Sequence, residues 1–180
     1  GAEDVFNAAD RMDQNDFAVL DSGSAMSMFD TMGASQAESL GGDKLAGLFD
    51  AMESEQFRDI GGGQLFEAIG NMTGDNFAVM DSDSAFGMFD AMGSDMALDM
   101  GGDQLAGMLG AMGGERIEHM SGGTVMEAFN SMGKEDIMNM GGDSLSGMFN
   151  VMGPESFDVI GGDQLFEYAG AMAGEHFAAM

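Results

Sequence analysis

No cysteine occurs in the 180 residues, which excludes disulfides, thiolate zinc sites and cysteine nucleophiles together. Proline occurs once, at Pro154, so the punctuation of the chain is left to its 30 glycines. Bases are nearly as scarce: five Lys and Arg stand against 32 Asp and Glu, a formal net charge of −27. Nucleic acids and anionic membrane surfaces are gripped by Lys and Arg that neutralise phosphates, so neither is expected as a partner. Long apolar runs are missing too. Acids and glycines interrupt every segment well short of the ~18 residues that read as a membrane-spanning helix, and no direct membrane insertion is expected.

What remains is a chain that repels itself, with repulsion that eases as salt screens it. Hydrophobic residues still make up 44% of the chain, enough for a packed core and against intrinsic disorder. Cations and basic protein segments are the partners that such a charge would attract.

Methionine is the residue in excess. Met12, Met32, Met52, Met72, Met92, Met112, Met132, Met152 and Met172 stand 20 residues apart without insertion or deletion. Residues 1–180 therefore read as one array of nine equal units, starting at 1, 21, 41, 61, 81, 101, 121, 141 and 161. Positions within a unit are numbered 1 to 20 below. Residues 141–160, GGDSLSGMFNVMGPESFDVI, represent the pattern. Apolar positions 5, 8, 9 and 12 fall at i, i+3, i+4 and i+7, the stripe of an amphipathic helix. Positions 17 and 20 repeat the spacing in a second, shorter helix.

Boundaries are written into each unit. Asp43, Asp103, Asp143 and Asp163 stand where the first helix begins, as caps or as charges that complement its dipole. Gly33, Gly93, Gly113, Gly133 and Gly153 follow the positional Met and are expected to end that helix in a left-handed conformation. Pro154 suits the first turn of the second helix, and Glu55, Glu115, Glu135, Glu155 and Glu175 lie within the same turn. The second helix ends at Gly-Gly pairs (41–42, 61–62, 101–102, 141–142 and 161–162), or at Asp21-Ser22 and Asp81-Ser82, where the serine is expected to cap the next helix. Helices this short do not persist alone and must bury their stripes against neighbouring units. The expected fold is an all-α solenoid, a superhelix of nine 20-residue helix-turn-helix repeats.

Two finer patterns accompany it. A large residue at position 6 tends to meet Ala at position 8 (Phe6/Ala8, Phe66/Ala68, Met126/Ala128). A small one meets a large partner (Ala46/Leu48, Ala106/Met108, Ser146/Met148), as volume compensation in a close-packed interior would require. Position 7 alternates between Glu67, Glu127 or Glu167 and Gly47, Gly87, Gly107 or Gly147, which suggests a face where another backbone comes close. Residues 61–120 also echo residues 1–60. Phe177 and Met180 carry the apolar pattern onward without a polar cap, so the array is expected to belong to a longer repeat protein or to associate end to end.

The half-unit that runs from Met152 to Ile160 into the next GGD-x-L resembles the short-helix superhelix in the N-terminal domains of MgtE-type magnesium transporters. That resemblance implies an acidic helical domain that senses divalent cations. GGDQLAG (101–107) is similar in composition to the calcium-binding nonapeptide of RTX proteins. A roll of that kind needs its unit every nine residues and this one returns every 20, so the periodicity excludes it.

Candidate sites are few. The methionine column offers soft thioethers, but one per unit places them about 8–10 Å apart and assigns them to the core. The acidic column Asp43, Asp83, Asp103, Asp143 and Asp163 could offer hard oxygens to Ca²⁺ or Mg²⁺, but capping and solvation alone explain it without metal and are the preferred reading. His119 and His176 share no face, and Ser22, Ser82 and Ser121 lack any base positioned by a motif, so no catalytic residue is assigned. The expected function is a non-enzymatic scaffold or protein-interaction module for basic segments. Divalent-cation sensing and a purely structural spacer are the alternatives.

Overall fold

The computed structural model describes residues 1–172, and every element among them is helical. Fifteen α-helices follow one another: α1 (Ala2–Ala9), α2 (Gln14–Ala18), α3 (Ser22–Met32), α4 (Ala34–Glu38), α5 (Gly42–Asp50), α6 (Ser54–Ile60), α7 (Gly62–Ala68), α8 (Gly74–Ala78), α9 (Ser82–Leu98), α10 (Gly102–Ile117), α11 (Gly122–Ser131), α12 (Lys134–Asn139), α13 (Gly142–Val151), α14 (Pro154–Ile160) and α15 (Gly162–Ala171). A 3₁₀ turn, Ile69–Asn71, extends α7. Longer helices start at position 2 of a unit and shorter ones at position 14. The two are continuous in α9 and α10 except at Gly93 and Gly113, where the backbone leaves the helix.

That break differs from the expected one. Gly33, Gly93 and Gly113 have φ near 75° but ψ of 159–168°, which is not the left-handed helix region. Gly133 and Gly153 reach the same ψ at φ of −74° and −70°. The requirement at position 13 is an extended ψ that redirects the chain into the short helix. Asp13 and Thr73 meet it as ordinary N-caps, Asp13 accepting hydrogen bonds from the Asn15 and Asp16 amides.

The long helices start differently too. Their N-caps stand at position 1, so Asp43, Asp103, Asp143 and Asp163 fall inside the first turn and do not cap their own helices. Where position 1 is polar it caps directly: the carboxylates of Asp21 and Asp81 accept from the amides of Ser24 and Ser84 at 2.9 and 2.8 Å. The cap is therefore the aspartate, and Ser22 and Ser82 are released to bond elsewhere.

The methionine column is core. Met32, Met52, Met72, Met92, Met112, Met132, Met152 and Met172 are all buried, beside Phe29, Phe49, Leu65, Leu105 and Leu145 of the long helices and Phe17, Phe57, Phe77 and Ile117 of the short ones. Position 6 departs from the compensation pattern. Small residues there (Ala46, Ala106, Ser146) are buried, whereas Phe66 and Phe166 are exposed and Phe6, Phe86 and Met126 lie at the rim. A large side chain at position 6 is displaced outward and does not fill space freed by a small position 8.

Packing partners are set by a longer interval than the unit. Six short segments lie on the long helix that begins about 28 residues later: α2 on α5, α4 on α7, α6 on α9, α8 on α10, α12 on α15, and the end of α10 on α13. Hydrogen bonds between layers span 29 to 35 residues, from Gly74 N to Asp103 at one extreme to Gln104 Nε2 and the Ile69 carbonyl at the other.

Candidate functional site

Position 7 is where the layers approach most closely. A Cβ on Gly107 would lie 2.2 Å from the carbonyl oxygen of Gly74 and 2.6 Å from its Cα. On Gly147 it would lie 2.5 Å from both the Cα and the oxygen of Gly114, and on Gly47 2.8 Å from the oxygen of Gln14. Only glycine permits those contacts, as the alternation in the sequence suggests. In two of the units with Glu at position 7, a polar bridge takes their place: Glu67 accepts from the Ser35 hydroxyl, and Glu167 pairs with Lys134.

The acidic column is drawn into the same contacts. Asp103 Oδ2 accepts the amide of Gly74 at 2.7 Å, and Asp143 Oδ2 accepts that of Gly114 at 2.7 Å. Each therefore caps a short helix 29 residues earlier in the chain, satisfying an amide that has no partner within its own helix. Asp43 accepts from Asn76 Nδ2 at 2.6 Å. Asp83 pairs with Arg116, whose guanidinium also stands 5.1 Å over the Phe86 ring. Asp163 is exposed in the first turn of α15. The structure distributes the five aspartates over different contacts, and among the described residues no three His, Asp or Glu side chains converge in a metal-holding group. Asp75, Asp103 and Asp136 do line one open hollow, with Gly74, Ala106 and Asn139 between them.

Bases are consumed in the same ladder. Lys44 pairs with Asp10 at 2.8 Å and Arg58 with Asp90 at 2.8 Å; with Arg116–Asp83 and Lys134–Glu167, four of the five bases are engaged between layers. Pairs this exposed contribute little stability, typically ~0–1 kcal/mol each. Their larger effect is on the field outside, since they occupy four of the five Lys and Arg in a chain with 32 acids.

Asp50 is an acid whose surroundings disfavour its charge. Burial raises its pKa, the Asp81 carboxylate adds repulsion, and only the hydrogen bond from the Asp81 amide, 2.9 Å from Oδ1, acts in the other direction. A carboxyl with a raised folded pKa costs stability when ionised, and the cost disappears as pH falls through that value. Asp50→Asn keeps the acceptor and removes the charge. It is expected to raise Tm at pH 7, with the gain over the parent shrinking as thermal melts are moved to acid pH, through the raised value and down to the usual carboxylate range. A gain independent of pH would contradict the assignment. The hydroxyl and amide of Ser24 hold Asp21 below its usual value, and Glu167 raises Lys134.

His119 closes α10 with Nδ1 2.7 Å from the Glu115 carbonyl and contacts no second histidine, while His176 lies outside the described residues. Ser22 bonds to Glu53 at 3.2 Å, Ser82 to the Met112 carbonyl at 2.6 Å, and Ser121 caps α11. Among the described residues, the bonds of these three serines go to Glu53, the Met112 carbonyl and Thr124, and none to a histidine.

Phe66, a position-6 residue expected in a close-packed interior, stands instead on the surface. Phe66 and Met96 are each 36% exposed, among Val19, Val79, Met138, Val159 and Phe166 as other large apolar residues facing solvent. The signal was present as large side chains at position 6, read as core filling. No helix among the described residues is long and apolar enough to cross a membrane. Comparison with family models, with curated proteins and with solved structures found no match.

Proposed function

We propose that this chain is a non-enzymatic scaffold that binds basic protein segments. In this reading its nine helical hairpins wind into a superhelix with about 30 residues, one and a half units, in each turn. The recurrence of interlayer hydrogen bonds at 29 to 35 residues supports the winding, and repeat arrays of this kind offer extended surfaces to partners. The observation that carries the binding reading is the use of the bases. Four of five are tied to acids between layers, so a chain of net charge −27 faces solvent with uncompensated carboxylates.

A lysine- and arginine-rich peptide is expected to bind in isothermal titration at about 0.15 M salt, more weakly as salt rises, while an acidic peptide of equal length does not bind. Absence of binding by the basic peptide would overturn the proposal. Under this reading CaCl₂, MgCl₂ and NaCl at matched ionic strength raise Tm equally, by screening alone. A much larger rise with either divalent salt would instead favour the cation-sensing function implied by the resemblance to MgtE-type domains. Asp43, Asp83, Asp103 and Asp143 already accept hydrogen bonds or an ion pair, which is why scaffolding is preferred.

A further inference from the structure

We infer that Phe66, Met96 and Met126 form a docking stripe for one class of partner, an amphipathic helix with a basic face. This rests on the scaffold reading and adds the location and the form of its ligand. Phe66 projects from α7, and Met96 comes from the layer stacked on it: a Cβ on Gly62, one helical turn before Phe66, would lie 2.9 Å from Met96 Cε. Met126 stands 30 residues further along, at the rim of the core on α11. The stripe thus crosses successive layers and does not follow a single helix.

The flank of α7 around Phe66 is less crowded than at Gly62, where a Cβ would also lie 2.8 Å from the Ala91 oxygen and from the Met92 Cα. Gly63 and Gly70 lie one turn to either side of Phe66. A Cβ at Gly63 would meet nothing within 4 Å, and at Gly70 it would meet only the Glu38 carboxylate. Phe66 keeps 36% of its surface for a ligand. Exposed Glu67, Asp99 and Glu127 border the three apolar side chains, and no base is adjacent to any of them in the chain. An apolar strip with acidic margins complements a helix whose apolar face is edged by Lys and Arg, and repels an acidic segment or a second copy of this chain.

The spacing selects the form of the ligand. Packed helices stand roughly 8–10 Å apart, so the three side chains step along the stripe at about that interval. A helix advances ~10.5 Å in seven residues at 1.5 Å each, so apolar residues at i and i+7 would keep register with successive layers. An extended peptide has no such match.

The test uses two synthetic 21-residue peptides of identical Leu and Lys composition, one with Leu at i, i+3, i+4 and i+7, the other permuted to abolish an apolar face. Fluorescence anisotropy at about 0.15 M salt is expected to give the amphipathic peptide at least a tenfold lower Kd. The double variant Phe66→Ser, Met96→Ser should lose about tenfold for that peptide and nothing for the permuted one. Phe166→Ser, at an 82% exposed ring on α15, should leave both unchanged. Circular dichroism checks that each variant folds. Should the double serine variant unfold, Asp99→Lys at the exposed margin supplies the same test by repulsion. Equal affinity for the two peptides, or full affinity in the variants, overturns the stripe while leaving the scaffold. Failure of both peptides to bind overturns the two together.

Discussion

Gly107→Ala is expected to destabilise the protein by about 2–3 kcal/mol, since overpacking of a tight contact costs typically 1–3 kcal/mol or more. The added methyl would sit 2.2 Å from a carbonyl oxygen and 2.6 Å from a Cα, both backbone atoms of Gly74. Neither can rotate away as a side chain would, so α8 and α10 must separate. Separation also stretches the bond from the Gly74 amide to Asp103, now 2.7 Å long. In a domain of this size one kcal/mol moves Tm by roughly 2–4 °C, so a fall of about 4–12 °C is expected. Gly147→Ala meets the backbone of Gly114 in the same way and should cost a similar amount. The control is Gly63→Ala, a helical glycine whose Cβ would enter open space; it should stabilise by up to ~0.5–1 kcal/mol through lower backbone entropy. Thermal and urea melts of the three variants make the comparison. Equal shifts in all three would mean that the layers do not meet at position 7.

The second large effect concerns sign as much as size. On a chain of net charge −27 the removal of an acid relieves repulsion, so a generic Asp→Ala substitution should be neutral or mildly stabilising. Asp103→Ala and Asp143→Ala are expected to do the opposite, each costing about 1–2 kcal/mol, the usual value of an N-cap. Each leaves a part-buried amide, that of Gly74 or Gly114, without its acceptor. Asp163→Ala removes only an exposed charge from a first turn and should change stability by no more than a few tenths of a kcal/mol. Asp103→Asn, which keeps an oxygen acceptor, should fall between parent and alanine variant. If Asp103→Ala melts higher than the parent, that carboxylate does not serve as a cap across layers.

Both effects follow from an interval that the 20-residue period does not express. The stripe at positions 5, 8, 9 and 12 and the breaks at 13 and 1 are local: they depend on helical periodicity and on backbone conformations that glycine and small polar residues supply. They were therefore legible, and Leu65, Phe29 and the methionine column from Met32 to Met172 are buried as that periodicity requires. The caps were only half legible. Asp103 and Asp143 stand at helix starts in the sequence, but the amides they satisfy lie 29 residues away. Position 6 was misread because amphipathic spacing alone cannot tell a buried edge from a rim.

By itself, then, the sequence determined that this protein is helical, where its helices break, which helix positions line the centre of the core and how strongly acidic the chain is, because these depend on composition and on neighbours within one or two turns of the same helix. Only the tertiary structure decided which helices meet. That choice depends on the angles at which successive short helices leave their breaks, and those angles bring together residues about 30 apart in a chain that repeats every 20. From that offset follow the need for glycine at Gly107 and Gly147, the capping of one layer by an aspartate of another, and the exposure of Phe66 beside Met96.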